Sequence, residues 1–476
     1  MSTSTGTSDV GNAGGNTGGG NGTGGGPGPR ARVAEPLSAR AATALRKITA
    51  HALGPYQSAV VRIGFAGVWL LFLLREFPHR HELYGPDGPW SFELAERLIA
   101  TNNAFTVLLW GSGGLWFELV YLLSVVSSAL LALGWRTRAT SVFFMIGVLS
   151  LQNRSVFMGD GGDNVIHLMA VYLVFTRCAQ VWSLDSRRPR PEGGRDVTGP
   201  VLWLVLGAVL AVTWAKEATS GALLLLFTAL WTAHGVAWAV VRRDPRGEAR
   251  ALCEVVGNLV HNAAMLIVMA EVCLIYATAG WYKVQGSRWQ DGTALYYPLN
   301  LDYFSPWPAL SGLLGSSALL VLLLSYGTVV VQVAFPFTLF NRRVKNVLLA
   351  VMMLEHAGIA VLLGLPFFSL AMIAADAVFL PTAFLVWLGG LAHRLPFPRR
   401  ARPAPADTRS GAGPDEGSGP DAEGPGEPVP VPVGAVPGPA RAAEDTAPGT
   451  AGRPEAGAAG PAGELPGDRP DAQPLR

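Results

Sequence analysis

From residue 57 onward the chain alternates long apolar runs with short polar or basic loops. A helix that crosses a bilayer needs about 20 apolar residues. Ten runs reach or approach that length: 57–76, 113–133, 139–153, 163–182, 199–215, 221–240, 258–281, 313–340, 346–364 and 367–390. The third is short and the eighth is long. The tenth follows the ninth almost without a loop, so the pair reads as two spans, a hairpin or a re-entrant segment. The pattern predicts an all-α polytopic membrane protein, a helical bundle of about 10 (8–10) transmembrane helices.

Charge orients this pattern. Arg30, Arg32, Arg40, Arg46 and Lys47 precede the first run. Every second loop is basic: Arg136 and Arg138; Arg187, Arg188, Arg190 and Arg195; Arg242, Arg243, Arg246 and Arg250; Arg342, Arg343 and Lys345. Arg394, Arg399, Arg400 and Arg402 follow the last run. The loops between are nearly free of Lys and Arg. Basic loops stay in the cytoplasm, so both termini are expected inside.

Only 15% of the 476 residues are charged and half are hydrophobic, against about a quarter charged in soluble chains. A soluble enzyme and a nucleic-acid partner are thereby disfavoured, because the basic residues sit where topology needs them. The membrane domain is expected at 53–395. Residues 1–29 are Gly-rich and residues 396–476 are rich in Pro, Ala and Gly, and both read as disordered. Residues 30–52 read as a basic juxtamembrane helix, lying either on an anionic membrane surface or in solvent. The bias to Arg, Ala, Gly and Pro points to a GC-rich bacterium and its plasma membrane. Cys178, Cys253 and Cys273 have no CxxC spacing, so neither a disulfide framework nor a metal site is indicated.

Within this background one lysine stands out. The chain has four, Lys47, Lys216, Lys283 and Lys345, among 36 basic residues. Lys283 lies in AGWYKVQGSRWQDG (279–292), at the expected outer end of the seventh run. Arg cannot serve as a base near neutral pH, whereas a desolvated Lys can. Two readings stand: a base, or an interfacial lysine that holds the helix end. A second polar stretch, QNRSVFMGDGGD (152–163), lies on the same expected face, with His167 one turn beyond. Asp160 and Asp163 suit a helix cap, and His167 is either a satisfied core histidine or a proton-transfer group. Asn153, Arg154, Asp160, Asp163 and Trp289 are candidate substrate-binding residues. Glu118, Glu271, Glu355, His356 and Asp376 fall inside expected spans. There they act as interhelical hydrogen-bonding groups or as a proton path.

The motifs QNRSVFMGDGGD, WSLD (182–185) and AGWYKVQGSRWQDG together resemble the HTTM (horizontally transferred transmembrane) domain family. That family includes relatives of vitamin K-dependent gamma-carboxylase and of the sporulation-delaying protein B type. The resemblance spans about residues 50–390. It implies an outward-facing site in which Lys283, after Ala279–Gly280, deprotonates a reduced vitamin K or menaquinone. Oxygen then converts the quinol to an epoxide, and the strong base so formed acts on a peptide. His167 stands about one turn from where the carboxylases carry a histidine. Unlike the carboxylases, this chain has no folded domain expected after its last span. Two other functions are open: a non-catalytic factor for maturation or export of a secreted peptide or small partner protein, and a proton-coupled transporter.

Overall fold

The computed structural model of the chain describes residues 37–188 and 197–394. The segments 1–29 and 396–476, expected to be disordered, lie outside the described residues, as do Arg190 and Arg195. Among the described residues all regular structure is helical.

The chain begins with α1 (Leu37–Ala50) and α2 (Pro55–Glu76), then two short helices, α3 (Arg80–Tyr84) and α4 (Phe92–Asn102). Next come α5 (Gly114–Leu133), α6 (Thr137–Arg154) and α7 (Gly161–Val174). They are followed by α8 (Thr198–Ala215), α9 (Gly221–Arg243) and the long α10 (Glu248–Gln285). Three short helices, α11 (Ser287–Gln290), α12 (Tyr296–Leu299) and α13 (Pro308–Gly315), fold the following loop. The last four are α14 (Ala318–Ala334), α15 (Arg342–Leu362), α16 (Pro366–Asp376) and α17 (Thr382–Arg394).

Among the described residues, seven helical segments are long and apolar enough to cross a membrane, and eight if the bent pair α16–α17 counts as one span. These apolar helices are consistent with a multi-pass membrane protein. Each of the ten expected runs is largely helical, but four differ from expectation. The run 313–340 is interrupted at Ser316–Ser317, so its first residues belong to α13 and the rest to α14 and a short 3-10 helix, Phe335–Phe340. The run 163–182 is helical only to Val174; at 14 residues α7 is about 21 Å long, short of the ~30 Å hydrocarbon core. α6 carries Arg138 at its start and Gln152, Asn153 and Arg154 at its end, which shortens its apolar stretch. The run 367–390 breaks at Leu380–Pro381, where its two parts meet at 117°; proline cannot continue the backbone ladder.

The core lies between α2, α5, α6, α7, α10 and α16, around Phe65, Trp69, Tyr121, Phe144, Met169 and Ala375. Gly161 and Gly162 allow α16 to approach α7. A Cβ on Gly162 would lie 2.7 Å from Phe368 Cα. By contrast, α8 and α9 pair with each other and bury only Thr213 and Leu224. Their faces are apolar, as a lipid-facing hairpin requires.

Polar side chains fasten the basic end. Arg62 is fully buried on α2. It donates to the carbonyls of Leu131, Ala132, Cys178 and Trp182 at 2.5, 2.7, 3.2 and 2.7 Å, supplying donors that the end of α5 lacks. The Asp185 carboxylate accepts from the amides of Arg136 and Thr137, both at 2.9 Å, and so caps α6 from a distant segment. The WSLD stretch is therefore part of a structural staple. Asn258 and Asn262 of α10 donate to the carbonyls of Thr49, Ile48 and His51 at 2.8–2.9 Å. Those bonds dock the C-terminal end of α1 on the bundle.

Candidate functional site

The second sequence motif is largely occupied with its own neighbourhood. Arg154 is 2% exposed and donates to the carbonyls of Gly85 and Trp90 at 2.8 and 3.0 Å. Asn153 donates to Phe105 O at 2.8 Å. Both hold the 85–105 loop against the end of α6. Asp160 and Asp163 form a reciprocal capping box at the start of α7: Asp160 accepts from Gly162 and Asp163 amides, and Asp163 accepts from the Asp160 amide. Gln152 donates to Asp163 O at 2.9 Å, and its Oε1 lies 3.1 Å from His167 Nδ1. Glu118 is paired with Arg80 and His81 at 2.8 and 2.7 Å.

Lys283 belongs to a different cluster. It sits in the last turn of α10, half-buried, while its neighbours Trp281 and Tyr282 are exposed. Its ammonium donates to Gln332 Oε1 at 2.8 Å and lies 5.3 Å from the centre of the Trp289 ring. Gln332 Nε2 donates in turn to Glu355 Oε1 at 2.8 Å. The amide thus spans cation and anion, using its acceptor for one and its donor for the other. Three helices, α10, α14 and α15, meet at this chain.

The loop that follows fixes Trp289 beneath the lysine. The Tyr326 hydroxyl donates to Gln290 O at 2.6 Å, and the Leu295 amide donates to Ser325 Oγ at 3.3 Å, so α14 holds both ends of it. Between them Gly292 turns at φ +75° against Leu322, a conformation open to glycine. The exposed Asp291 carboxylate accepts from the Thr293 hydroxyl and amide, which hold it below the usual carboxylate range.

Deeper in the bundle lies a second cluster. The Tyr276 hydroxyl, two turns before Lys283 on α10, donates to Asp376 Oδ1 at 3.0 Å and lies 3.0 Å from His356 Nε2. All three residues are at most 2% exposed. Phe335 and Phe368 pack beside Tyr276 and His356 respectively.

The structure therefore brings Lys283 and Trp289 together, and adds Gln332 and Glu355. Among the described residues, Asn153, Arg154, Asp160, Asp163 and His167 make no hydrogen bond to Lys283. Glu355, His356 and Asp376 stand out in the sequence as ionisable groups inside apolar runs. Gln332 and Tyr276 were missed. Gln332 is the amide within 313–340, and that isolation was the available signal. Tyr276 is one aromatic among many and carried none.

No protein-family model, curated protein or solved structure matches this chain.

Proposed function

We propose that this chain is a multi-pass enzyme of a bacterial plasma membrane, of the HTTM and vitamin K-dependent carboxylase-like family, with Lys283 as its base. The observation that carries this reading is the seating of Lys283 Nζ against Gln332 and the Trp289 ring, with Glu355 joined to it through Gln332. An amine beside an indole face, with Trp281 and Tyr282 exposed on the same turn, suits a flat apolar quinol arriving from the bilayer. Such a quinol would supply the redox chemistry when bound. Lys283 would take its hydroxyl proton, Gln332 would hold the amine in place, and Glu355 would balance the charge that the amine gains.

The proposal includes ten crossings with both termini in the cytoplasm, which puts Lys283 outside. Its support is the sequence of basic loops together with the helix order. Whether α6 and α7 cross does not change the side on which either terminus lies, because they count as a pair. The bent α16–α17 pair decides the side of the C-terminus, and accessibility labelling of a cysteine placed after residue 394 tests it.

Activity is tested with the purified protein in lipid nanodiscs, supplied with reduced menaquinone or vitamin K and oxygen. Wild type is expected to form quinol epoxide, and Lys283→Ala and Lys283→Arg to form none while remaining monodisperse. Epoxide from Lys283→Arg at the wild-type rate would overturn the assignment. Absence of epoxide from wild type would favour a non-catalytic partner of a secreted peptide, sought by co-purification.

A further inference from the structure

His356, Tyr276 and Asp376 come from three helices, separated by 80 and 100 positions in sequence, yet they meet in one unbranched hydrogen-bond chain. Tyr276 donates to Asp376 Oδ1 and lies beside His356 Nε2. With Asp376 ionised and a proton on His356 Nε2, the carboxylate only accepts and the Tyr276 oxygen accepts from the imidazole. In that state the chain runs from imidazole through phenol to carboxylate.

Both ends of the chain are open. His356 Nδ1 and Asp376 Oδ2 are buried polar atoms with no hydrogen-bond partner. A buried polar atom normally has one, since leaving it unmade costs about 1–3 kcal/mol. A purely structural tie between α10, α15 and α16 has no use for two stranded atoms at its ends. A proton path has: one end must accept a proton and the other must release it.

Position agrees with that use. His356 follows Glu355 directly, and Glu355 is joined through Gln332 to Lys283. Asp376 ends α16, one turn before Phe379, whose carbonyl accepts from Lys345 Nζ. Lys345 lies in the first turn of α15, at the basic end. Along α15, Lys345 and His356 are about 16 Å apart, and along α10, Tyr276 and Lys283 are about 10 Å apart. The chain thus occupies the middle depth between Lys283 and the basic end. The other ionisable groups on these helices include His261, Glu271, Cys273 and Lys283 on α10, and Arg342, Arg343, Lys345 and Glu355 on α15.

We propose that His356, Tyr276 and Asp376 form a proton relay through the middle of the bundle, drawing from the Lys283–Glu355 cluster and delivering toward the basic end. Only the source of the proton rests on the reading of Lys283 as a base. His356 first takes a proton at Nδ1 and becomes imidazolium; the Tyr276 oxygen then receives its Nε2 proton as the Tyr276 proton passes to the Asp376 carboxylate. Asp376 releases a proton from its carboxyl, and a turn of the now neutral imidazole and of the Tyr276 hydroxyl resets the chain. Bonds and charges balance with no further reactant.

The test uses the full chain in proteoliposomes with trapped pyranine and a valinomycin-imposed potassium potential. Wild type is compared with Tyr276→Phe, Asp376→Asn and Lys283→Ala. Tyr276→Phe removes one hydroxyl and preserves shape, and its folding is checked by size-exclusion and circular dichroism. Proton flux is expected to fall at least tenfold in Tyr276→Phe and Asp376→Asn. Equal flux in wild type and Tyr276→Phe would overturn the relay. Epoxide formation, measured separately, reports on the base. Epoxide with unchanged flux in Tyr276→Phe removes the relay alone, and lost flux without epoxide in wild type removes the base and keeps the relay as a transport path.

Discussion

Glu355 and His356 are consecutive on α15 and serve different hydrogen-bond chains: Glu355 accepts from Gln332, while His356 meets Tyr276. Successive helical side chains point about 100° apart, so adjacent residues address two neighbouring helices. Gln332 belongs to α14 and Tyr276 to α10. The polar interior is consequently narrow along α15 and wide across the bundle.

Gln332 is expected to couple Lys283 to Glu355. Gln332→Leu strands the half-buried Lys283 and Glu355 side chains, and Glu355→Leu strands the amide donor. The double variant Gln332→Leu/Glu355→Leu should therefore lose less than the sum of the single changes, with a coupling of about 0.5–3 kcal/mol. Reversible unfolding in mixed micelles measures it. Strict additivity would show that the amide bridges nothing.

Arg62→Met removes the donor to four backbone carbonyls at the basic end. Leu131 O keeps the Gly134 amide as a donor, and each of the other three acceptors, once stranded, costs about 1–3 kcal/mol. A loss of at least about 2 kcal/mol in unfolding free energy is expected, with quinol epoxidation per folded molecule unchanged. The same unfolding assay decides, and wild-type stability in Arg62→Met would remove Arg62 from its structural role.

Replacing Asp185 tests the long-range cap on α6. Asp185→Ala should cost about 0.5–2 kcal/mol. Asp185→Asn, which keeps a side-chain oxygen acceptor, should cost less. An Asn variant as unstable as the Ala variant would point to charge rather than capping.

In the α8–α9 hairpin, Trp203 and Trp231 stack at 4.0 Å between ring centroids, and each indole N–H donates to the other's carbonyl, at 3.2 and 3.0 Å. Gly207 and Gly235 make room for the opposite rings, since a Cβ on either would lie 2.7 Å from an indole carbon. Gly207→Ala and Gly235→Ala are each expected to cost about 1–3 kcal/mol by overpacking and to shift tryptophan emission. Unchanged emission and stability would show that the two helices separate freely.

Much of the fold was legible in the apolar pattern. Each of the ten runs is largely helical, as expected where a backbone in lipid must satisfy its own hydrogen bonds. The departures occur where polar side chains set the ends. α7 stops at Val174, ahead of the segment gripped by Arg62 and Asp185. The capping role of Asp160 and Asp163 was also readable, since both partners lie within one turn. The carbonyl partners of Asn153 and Arg154 were not, because they lie 48 to 69 positions away.

By itself the sequence determined the helical class, the approximate runs, the basic pattern of alternate loops and the isolation of Lys283 among arginines. Those properties follow from composition and local periodicity, which need no knowledge of neighbours. Only tertiary structure decided that Lys283 faces Gln332 and Trp289 rather than the 152–167 motif. It likewise decided that Tyr276 is polar core and that it joins His356 to Asp376 across three helices. The pairings with Gln332, His356 and Asp376 are long-range, fixed by how helices rotate and cross to bury polar groups together, and no local pattern encodes them.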